Sequence, residues 1–166
     1  MQLYIVRHGI AIDREAPKCP PDPERFLTDE GKQKTQQVAK GLAKLGVVAD
    51  VFYSSPYRRA KETAEIFAAE LEYAKTKIRY TNALLSSADA TMLFREIAKD
   101  KDSATVMVFG HAPHLDDIVA AAVGAKHQIT ALKKAGVALV ELKRVSPPSG
   151  ELVWLATPKL LRHVGK

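Results

Sequence analysis

Short apolar runs alternate along the chain with longer segments in which apolar residues recur at helical spacing. Three runs are typical of strands: QLYIV at 2–6, DVFYSS at 50–55 and ATVMVFG at 104–110. The last is apolar without interruption, which is typical of a central strand covered on both faces. Strands that alternate with helices favour an α/β architecture, and we expect a mainly parallel sheet with helices on both faces.

The first helix is predicted after a long proline-rich connection at residues 9–27. Thr28 is a suitable N-cap, and the acidic pair that follows it suits the positive end of the helix dipole. Val38, Leu42 and Leu45 recur at i, i+4 and i+7, which predicts one buried stripe. Gly46 is expected to end the helix.

Later elements carry similar boundary signals. Ser55 is predicted to cap the second helix, with Pro56 as its first residue. Asp89 is expected to cap a third helix, and Pro113 to open a fourth. The runs GVALVELKR and ELVWLAT, joined by VSPPSG, are expected to form two strands at the end of the chain.

The composition is that of an ordinary globular protein. The 166 residues are 46% hydrophobic and 27% charged, and we expect residues 1–166 to form a single domain. One cysteine, Cys19, excludes an internal disulfide and is consistent with a reducing compartment. No secretory signal and no membrane-spanning run is recognised, so a cytoplasmic protein with no membrane partner is expected.

The formal net charge of +6 raises the question of a nucleic-acid partner. The basic residues are dispersed among acidic ones, as in EGKQKTQQVAKGLAK, and no basic stripe with stacking aromatics is present. We therefore expect no nucleic-acid partner. The positive charge instead favours long-range attraction of a phosphorylated or acidic partner.

Three predicted strands end in polar clusters that contain arginine, histidine or serine. The clusters are Arg7-His8-Gly9, Ser54-Ser55-Pro56 followed by two arginines, and Gly110-His111. Ligands of open α/β sheets bind beyond the carboxyl ends of the strands, so neighbouring parallel strands would bring these clusters together. Arginines and the N-termini of two helices at one point predict a phosphate site.

The motifs VRHG, SSPYRRAKETA and GHAP, together with LTDEGKQKTQQ, resemble the signature of the histidine phosphatase superfamily. The resemblance spans roughly residues 3 to 120 and implies a phosphoglycerate mutase-like, three-layer α/β sandwich. The short length resembles the SixA-type phosphohistidine phosphatases, which lack the helical cap insertion of larger members. This resemblance implies a hydrolase that works without a metal or another cofactor.

The resemblance also implies roles for individual residues. His8 would be the nucleophile that accepts the phosphoryl group, and Arg7 would bind phosphoryl oxygens. The family pattern S-P-x-x-R-A selects Arg59 as the second arginine and leaves Arg58 as a surface residue. His111 would be the second phosphate-binding histidine. Phosphate contacts are implied for Arg7, Gly9, Arg59, His111 and Ala112, and we expect phosphate or sulfate to occupy this pocket.

Other candidate residues are given structural interpretations. His114, His127 and His163 are expected to be structural, although His114 is close enough in sequence to border the pocket. The pair Asp116-Asp117 is expected to face solvent or to cap its helix. A metal site is not expected, because arginines accompany both pocket histidines and would repel a divalent cation.

Phosphomonoesterases of the family place a carboxylic acid near the phosphate, and this sequence lacks it at the usual positions. Ala112 follows the second histidine, and the stretch TNALLSSADATMLF contains only Asp89, interpreted above as a helix cap. Without a general acid, an enzyme should favour leaving groups that depart readily, such as the imidazole of phosphohistidine. A phosphohistidine protein, such as a histidine phosphotransfer domain, is therefore the expected substrate.

Two alternatives stay open at this point. Asp13, Glu15 or Asp22, on the long connection, could fold back and serve as the acid of a small-molecule phosphomonoesterase. The second alternative is an inactive adaptor that binds phosphate without turning it over.

Overall fold

The computed structural model describes residues 1–100 and 102–166. Six strands and five α-helices follow one another along this part of the chain. Their bounds are β1 Gln2–Arg7, α1 Asp29–Lys44, β2 Val51–Ser54, α2 Arg58–Glu70, β3 Arg79–Tyr80, α3 Ala90–Ile97, β4 Thr105–Gly110, α4 His114–Val123, β5 Val137–Arg144, β6 Ser149–Ala156 and α5 Pro158–Val164.

The six strands form one sheet in the order β3-β2-β4-β1-β5-β6. The first four strands along the chain run parallel, while β5 is antiparallel to β1 and to β6. All six residues of β4 are buried, and β4 lies between β1 and β2, as its apolar pattern predicted. The predicted final hairpin is also confirmed.

Helices cover both faces of the sheet, because successive strand residues point to opposite sides. On one face Leu3, Ile5 and Val108 pack with the apolar residues of α3 and α4. On the other face Tyr4 and Phe109 pack with α1, α2 and α5. The predicted three-layer α/β sandwich is confirmed. That residues 1–166 form a single domain stays a prediction.

Helix α1 begins as predicted and ends one residue earlier than its apolar stripe suggested. The Oγ1 atom of Thr28 accepts a hydrogen bond from the amide of Gly31 at 3.0 Å. Gly46 has a φ of +76°, the left-handed conformation expected after a helix. The prediction that Leu45 joins the buried stripe was wrong. Leu45 follows the last helical residue and is 57% exposed, because the helix ends at Lys44 and the chain takes the left-handed turn at Gly46.

Helix α2 begins two residues later than predicted. Its first residue is Arg58, so Ser55 is not its N-cap and Pro56 is not its first residue. Ser55 has a different contact, since its hydroxyl lies 2.8 Å from Nε2 of His111. Residues 55–57 therefore form a loop between the end of β2 and the helix.

The two later helix boundaries are confirmed. The carboxylate of Asp89 accepts a hydrogen bond from the amide of Thr91 at 2.7 Å at the start of α3. Pro113 precedes α4, and Gly124, with a φ of +71°, ends it. Helix α5 was not predicted, although Thr157 and Pro158 carry the usual signals of a helix start.

No helix within residues 1–100 and 102–166 combines the length and the apolar character needed to cross a membrane. A cytoplasmic location stays a prediction.

Candidate active site

The parallel register places the polar clusters of the first and fourth strands side by side. Arg7 pairs with Gly110 across β1 and β4, and the amide of His8 donates to the carbonyl oxygen of Gly110 at 3.0 Å. The rings of His8 and His111 therefore lie close, with 5.2 Å between their centroids. The amide of Ser55 bonds to β4 at 2.9 Å, which brings the third cluster to the same edge of the sheet.

The imidazole of His8 is oriented by its neighbour in the chain. His8 is 7% exposed, and its Nδ1 lies 2.7 Å from the carbonyl oxygen of Gly9. A carbonyl oxygen only accepts hydrogen bonds, so Nδ1 carries the hydrogen and Nε2 of the neutral ring keeps its lone pair. Burial, opposed by the Gly9 hydrogen bond and aided by the charges of His111, Arg59 and Arg7, lowers the pKa of His8 to about 3. The ring is thus neutral near pH 7, and the role of His8 as nucleophile stays a prediction.

Gly9 holds this arrangement through its backbone. Its amide donates to Oγ1 of Thr63 at 3.0 Å, and Thr63 donates in turn to the carbonyl oxygen of Arg59 at 2.7 Å. A Cβ atom at position 9 would lie 2.3 Å from Oγ1 of Thr35, so only glycine fits. The amide of Gly9 donates to Thr63, so the role of Gly9 that the structure shows is to orient the His8 ring through its carbonyl oxygen. Phosphate binding by Gly9 stays a prediction.

His111 contacts two residues of the loop between β2 and α2. Its Nε2 lies 2.8 Å from Oγ of Ser55, and its ring packs edge-on against Tyr57 with 5.4 Å between centroids. If the hydroxyl donates to Nε2, the neutral ring presents the N–H of Nδ1 as a donor. Burial, together with the nearby charge of Arg59, lowers the pKa of His111 to about 3 despite the opposing charge of Asp22.

The two predicted phosphate-binding arginines are held by backbone carbonyl groups. Nη1 of Arg7 donates to the carbonyl oxygen of Leu132 at 2.7 Å. Nη1 of Arg59 donates to the carbonyl oxygen of Asp22 at 2.7 Å, and its Nη2 lies 3.2 Å from the carboxylate of the same residue. Burial is the main influence that lowers the pKa of both guanidinium groups.

Burial separates Arg59 from its neighbour Arg58 as the motif predicted. Arg59 is 4% exposed, whereas the side chain of Arg58 is 51% exposed and forms an ion pair with Glu62 at 2.9 Å. The guanidinium group of Arg58 lies over the ring of Phe26, 5.2 Å from its centroid.

Several buried donors at this edge of the sheet have no hydrogen-bond partner. Within the described part of the chain, four buried side-chain nitrogen or oxygen atoms lack a partner, namely Nε of Arg7, Nε of Arg59, Nδ1 of His111 and Oγ1 of Thr35. The first three belong to residues that the motifs assign to phosphate binding. Buried polar atoms are normally paired, and both arginine Nε atoms are donors, as is Nδ1 of His111 when Ser55 donates to its Nε2. Three such atoms on these residues favour a binding site for an acceptor-rich anion.

The long connection does fold back onto this site. Asp22 begins a short 3₁₀ turn, Asp22–Glu24, and its carboxylate also accepts hydrogen bonds from Arg25 at 3.0 Å and from Arg14 at 3.3 Å. Burial raises the pKa of Asp22, but the hydrogen bond from Arg25 and the charge of Arg59 outweigh it and lower the pKa overall. Asp22 is therefore ionised at neutral pH.

The other two candidate acids of the connection, Asp13 and Glu15, are exposed. Asp13 accepts a hydrogen bond from the amide of Glu15 at 2.8 Å, an ordinary turn contact. Within the described residues, neither carboxylate forms a hydrogen bond or ion pair with His8 or His111.

The interpretation of Asp116 as a solvent-facing or capping residue was wrong. Asp116 is 4% exposed, and its Oδ1 accepts hydrogen bonds from Oγ1 of Thr130 at 2.6 Å and from the amide of Leu132 at 3.0 Å. It is buried because it anchors the segment that leads into β5. Asp117 does face solvent, where Gln128 donates to it at 2.7 Å.

The remaining histidines match their structural interpretation. His114 is buried, and its Nε2 donates to the carbonyl oxygen of Ala83 at 2.9 Å. His127 and His163 are exposed. Ala112 lies in the loop between His111 and α4, half-buried, and its predicted phosphate contact stays a prediction.

Residues 1–100 and 102–166 contain no group of three or more His, Cys, Asp or Glu side chains placed to hold a metal ion. The site is built from arginine and histidine donors, which suit an anion better than a cation.

Comparison with known proteins identifies the family. The model of the histidine phosphatase superfamily (branch 1) matches residues 3–85, which is half of the chain. An uncharacterised protein of Picosynechococcus sp. is 33% identical over 97% of this chain and 99% of its own length. The chain belongs to the histidine phosphatase superfamily.

Solved structures of histidine phosphatases show the same fold. The protein histidine phosphatase SixA complexed with tungstate superposes with a TM-score of 0.85 over 97% of this chain and 99% of that chain, at 24% identity. The α-ribazole phosphatase of Shigella flexneri superposes with a TM-score of 0.77 over 95% and 97% of the two chains, at 12% identity. At these identities the superpositions show the fold and leave the substrate open.

Within this histidine phosphatase fold, four residues shape the site through contacts that sequence reasoning did not assign to them. Ser55 and Tyr57 contact His111, Thr63 connects Gly9 to Arg59, and Asp116 anchors the segment that holds Arg7. Ser55 and Tyr57 lie within the motif that selected Arg59, and that motif could have suggested them. Thr63 and Asp116 act through contacts distant in sequence, for which the chain carries no local signal.

Proposed function

We propose that this protein is a phosphatase that hydrolyses phosphohistidine on proteins through a covalent phospho-His8 intermediate. The observation that carries the proposal is the set of unpartnered buried donors on Arg7, Arg59 and His111, gathered around an oriented, neutral His8. A transferring phosphoryl group supplies the acceptor oxygens that such donors require.

The proposed reaction has two steps. In the first, the lone pair on Nε2 of His8 forms a bond to phosphorus. The phosphorus–nitrogen bond of a substrate protonated on its other ring nitrogen breaks with its electron pair on that ring, which departs as neutral imidazole. In the second, water attacks phosphorus and the bond to Nε2 breaks, which releases phosphate and restores His8. Arg7 and Arg59 would hold the charged oxygens in line during both steps.

The proposed substrate follows from the leaving group. Asp22 is the loop carboxylate that contacts Arg59, and its lowered pKa keeps it ionised, so it has no proton to give at neutral pH. Asp89 is exposed and engaged as a helix cap. A site without a general acid suits phosphohistidine, whose imidazole leaves more readily than an alkoxide. The structural likeness to SixA supports the same substrate class.

A small-molecule phosphomonoesterase is the second candidate, and two observations favour it. Asp22 lies on the long connection and contacts Arg59. This alternative requires a loop carboxylate that folds back onto the site in this way. The fold is also shared with α-ribazole phosphatase, whose name denotes a small-molecule substrate.

Rates on substrates with different leaving groups test the two candidates. We expect a phosphohistidine peptide and nitrophenyl phosphate to react, and simple sugar phosphates to react at least about 10²-fold more slowly, the lower range for a missing general acid. Acid-quenching is unsuitable for an N-phosphoryl group, so turnover should be quenched in base, where a phosphoryl adduct on His8 should be recovered. A shallow dependence on leaving-group pKa would favour the phosphomonoesterase.

The variant His8→Ala should fold and lose turnover of every substrate. Full activity in this variant would overturn the covalent mechanism. Absence of turnover of any activated phosphate by the wild-type protein would point instead to a phosphate-binding adaptor. We also propose that the reaction needs no metal, and chelators should leave the wild-type rate unchanged.

A further inference from the structure

A basic groove of about 520 Å³ borders the candidate active site on one side. It lies between α1, the segment that precedes β5, and α5. Basic side chains make up more than half of its lining, which contains no Asp or Glu, and they are Arg7, Lys34, Lys133, Lys134, Lys159 and Arg162.

Three of these lysines project into solvent without an anionic partner. Lys133, Lys134 and Lys159 are exposed, and none lies within 4.0 Å of a carboxylate of the described residues. Of the other three basic residues, Lys34 pairs with Glu30, Arg162 donates to the side-chain oxygen of Gln37 at 2.7 Å, and Arg7 donates to a backbone carbonyl oxygen. Within the described part of the chain Lys34 is thus the one member of the six in an ion pair, and the three lysines are the uncompensated charges that are exposed.

Arg7 connects this groove to the predicted phosphate site. Arg7 lines the groove, and its guanidinium group donates to the carbonyl oxygen of Leu132, the residue directly before the lysine pair. Arg7 is the chain neighbour of His8. A substrate whose phosphoryl group reaches His8 past Arg7 can therefore place adjoining groups along the lysines.

We propose that the groove binds an acidic surface of the phosphohistidine protein, next to the phosphorylated histidine. This inference rests on the proposed function and adds that the partner's surface is acidic around its phosphohistidine. Charge complementarity is the argument, since uncompensated lysines attract carboxylates and steer a charged partner into register. Lysine is a flexible point charge, so lysines spread over two elements suit scattered carboxylates better than one compact polyphosphate.

Two synthetic peptides provide the test. Each carries one phosphohistidine, flanked by four Glu residues in one peptide and by four Gln residues in the other. We expect the wild-type protein at low ionic strength to show a kcat/KM about fivefold to tenfold higher for the Glu peptide, the size that a few exposed ion pairs produce. Added salt should reduce this preference, because it screens exposed charges.

The double variant Lys133→Gln/Lys134→Gln should lose the preference, chiefly through a higher KM for the Glu peptide. A matched control is Lys75→Gln/Lys77→Gln, which removes the same charge before β3, at the opposite end of the sheet. The control should keep the preference. Both double variants should hydrolyse nitrophenyl phosphate at the wild-type rate, because neither alters His8 or its arginines.

The outcomes separate this inference from the proposed function. If the wild-type protein turns over nitrophenyl phosphate and neither peptide, the proposed function and the inference both fail. If it turns over both peptides equally, or if the groove variant and the control behave alike, only the inference fails. In another outcome, tripolyphosphate inhibits far better than phosphate, only the groove variant loses that difference, and the wild-type protein shows no peptide preference. This result would assign the groove to a small polyphosphate and overturn the acidic partner.

Discussion

Arg59 donates two hydrogen bonds to Asp22, one to its carbonyl oxygen at 2.7 Å and one to its carboxylate at 3.2 Å. A predicted phosphate-binding arginine is thus in contact with an internal anion. The Nε atom of the same guanidinium group is buried and has no partner. The carboxylate and an incoming phosphoryl group would therefore share one arginine, and two negative charges in such proximity repel each other.

The variant Asp22→Asn separates competition from acid catalysis. It removes the negative charge and keeps the backbone carbonyl that Arg59 contacts, so we expect phosphate to inhibit about threefold to tenfold more strongly, the range for one partly exposed charge. Turnover of phosphohistidine should change little. Inhibition by phosphate and initial rates on three leaving groups measure the effect. Asp13→Asn, on the same connection but exposed, is the control.

A different result would identify an acid at this position. If Asp22→Asn lost activity on alkyl phosphates alone, by about 10²-fold or more, Asp22 would be acting as a proton donor. The protein would then be better described as a phosphomonoesterase.

The neighbours Arg58 and Arg59 should differ sharply in their importance. Arg59→Ala removes a buried, charge-assisted donor, and we expect kcat/KM to fall by about 10²- to 10³-fold, the usual cost of one transition-state donor. Arg58→Ala removes an exposed ion pair with Glu62 and should change kcat/KM less than about twofold. Steady-state kinetics on nitrophenyl phosphate measures both. Similar losses would mean that the motif was aligned to the wrong arginine.

Stability should decrease as the pH falls below about 6.5, because of the two buried histidines. Their pKa values are lowered to about 3 in the folded protein, first by burial and then by cationic neighbours, from 6.5 in the unfolded chain. Between these values the unfolded chain binds more protons. The free energy of unfolding should therefore decrease by up to about 1.4 kcal/mol per pH unit for each histidine.

Urea denaturation between pH 5 and 7.5 measures this slope, in a range above the titration of the carboxylates. His111→Gln should make the slope shallower, whereas His127→Gln, at an exposed position, should not. A free energy of unfolding that is constant from pH 7 to pH 5 would contradict the assignment of both histidines as buried and neutral.

The central position of β4 and the convergence of the site were accessible from the sequence for a physical reason. An uninterrupted apolar run marks a strand covered on both faces, as β4 is, and parallel strands present their carboxyl ends at one edge. Arg7, His8 and His111 are attached directly to such ends, so their positions follow from the topology. Arg59 lies one residue inside a helix that starts at the same edge.

Features that depend on contacts between distant segments were not accessible in this way. Ser55 has the side chain of a good N-cap, and only the position of His111 explains why it lies in a loop instead. Leu45 matched the apolar stripe, yet the chain turned before the stripe was completed. Asp116 follows a proline at the start of a helix, where acidic residues are usually solvated, and its partners are 14 and 16 residues away.

Asp116 should act as a positioning residue for Arg7. Its Oδ1 atom fixes the amide of Leu132, and the carbonyl oxygen of Leu132 accepts the hydrogen bond from Nη1 of Arg7 at 2.7 Å. Asp116→Ala would release this segment. We expect phosphate binding and kcat/KM to weaken by about tenfold or more, and stability to fall by about 1.5–3 kcal/mol for the lost charged hydrogen bonds.

The conservative variant distinguishes positioning from simple destabilisation. Asp116→Asn retains an oxygen that can accept from Leu132, so it should recover most of the phosphate affinity even though the negative charge near Arg7 is lost. Asp117→Ala, next in the chain but exposed, should leave both activity and stability within about 0.5 kcal/mol of the wild type. Phosphate titration, steady-state kinetics and urea denaturation of the three variants provide the comparison. If Asp116→Ala lost stability while its phosphate affinity and kcat/KM stayed unchanged, Leu132 would not be what holds Arg7 in place.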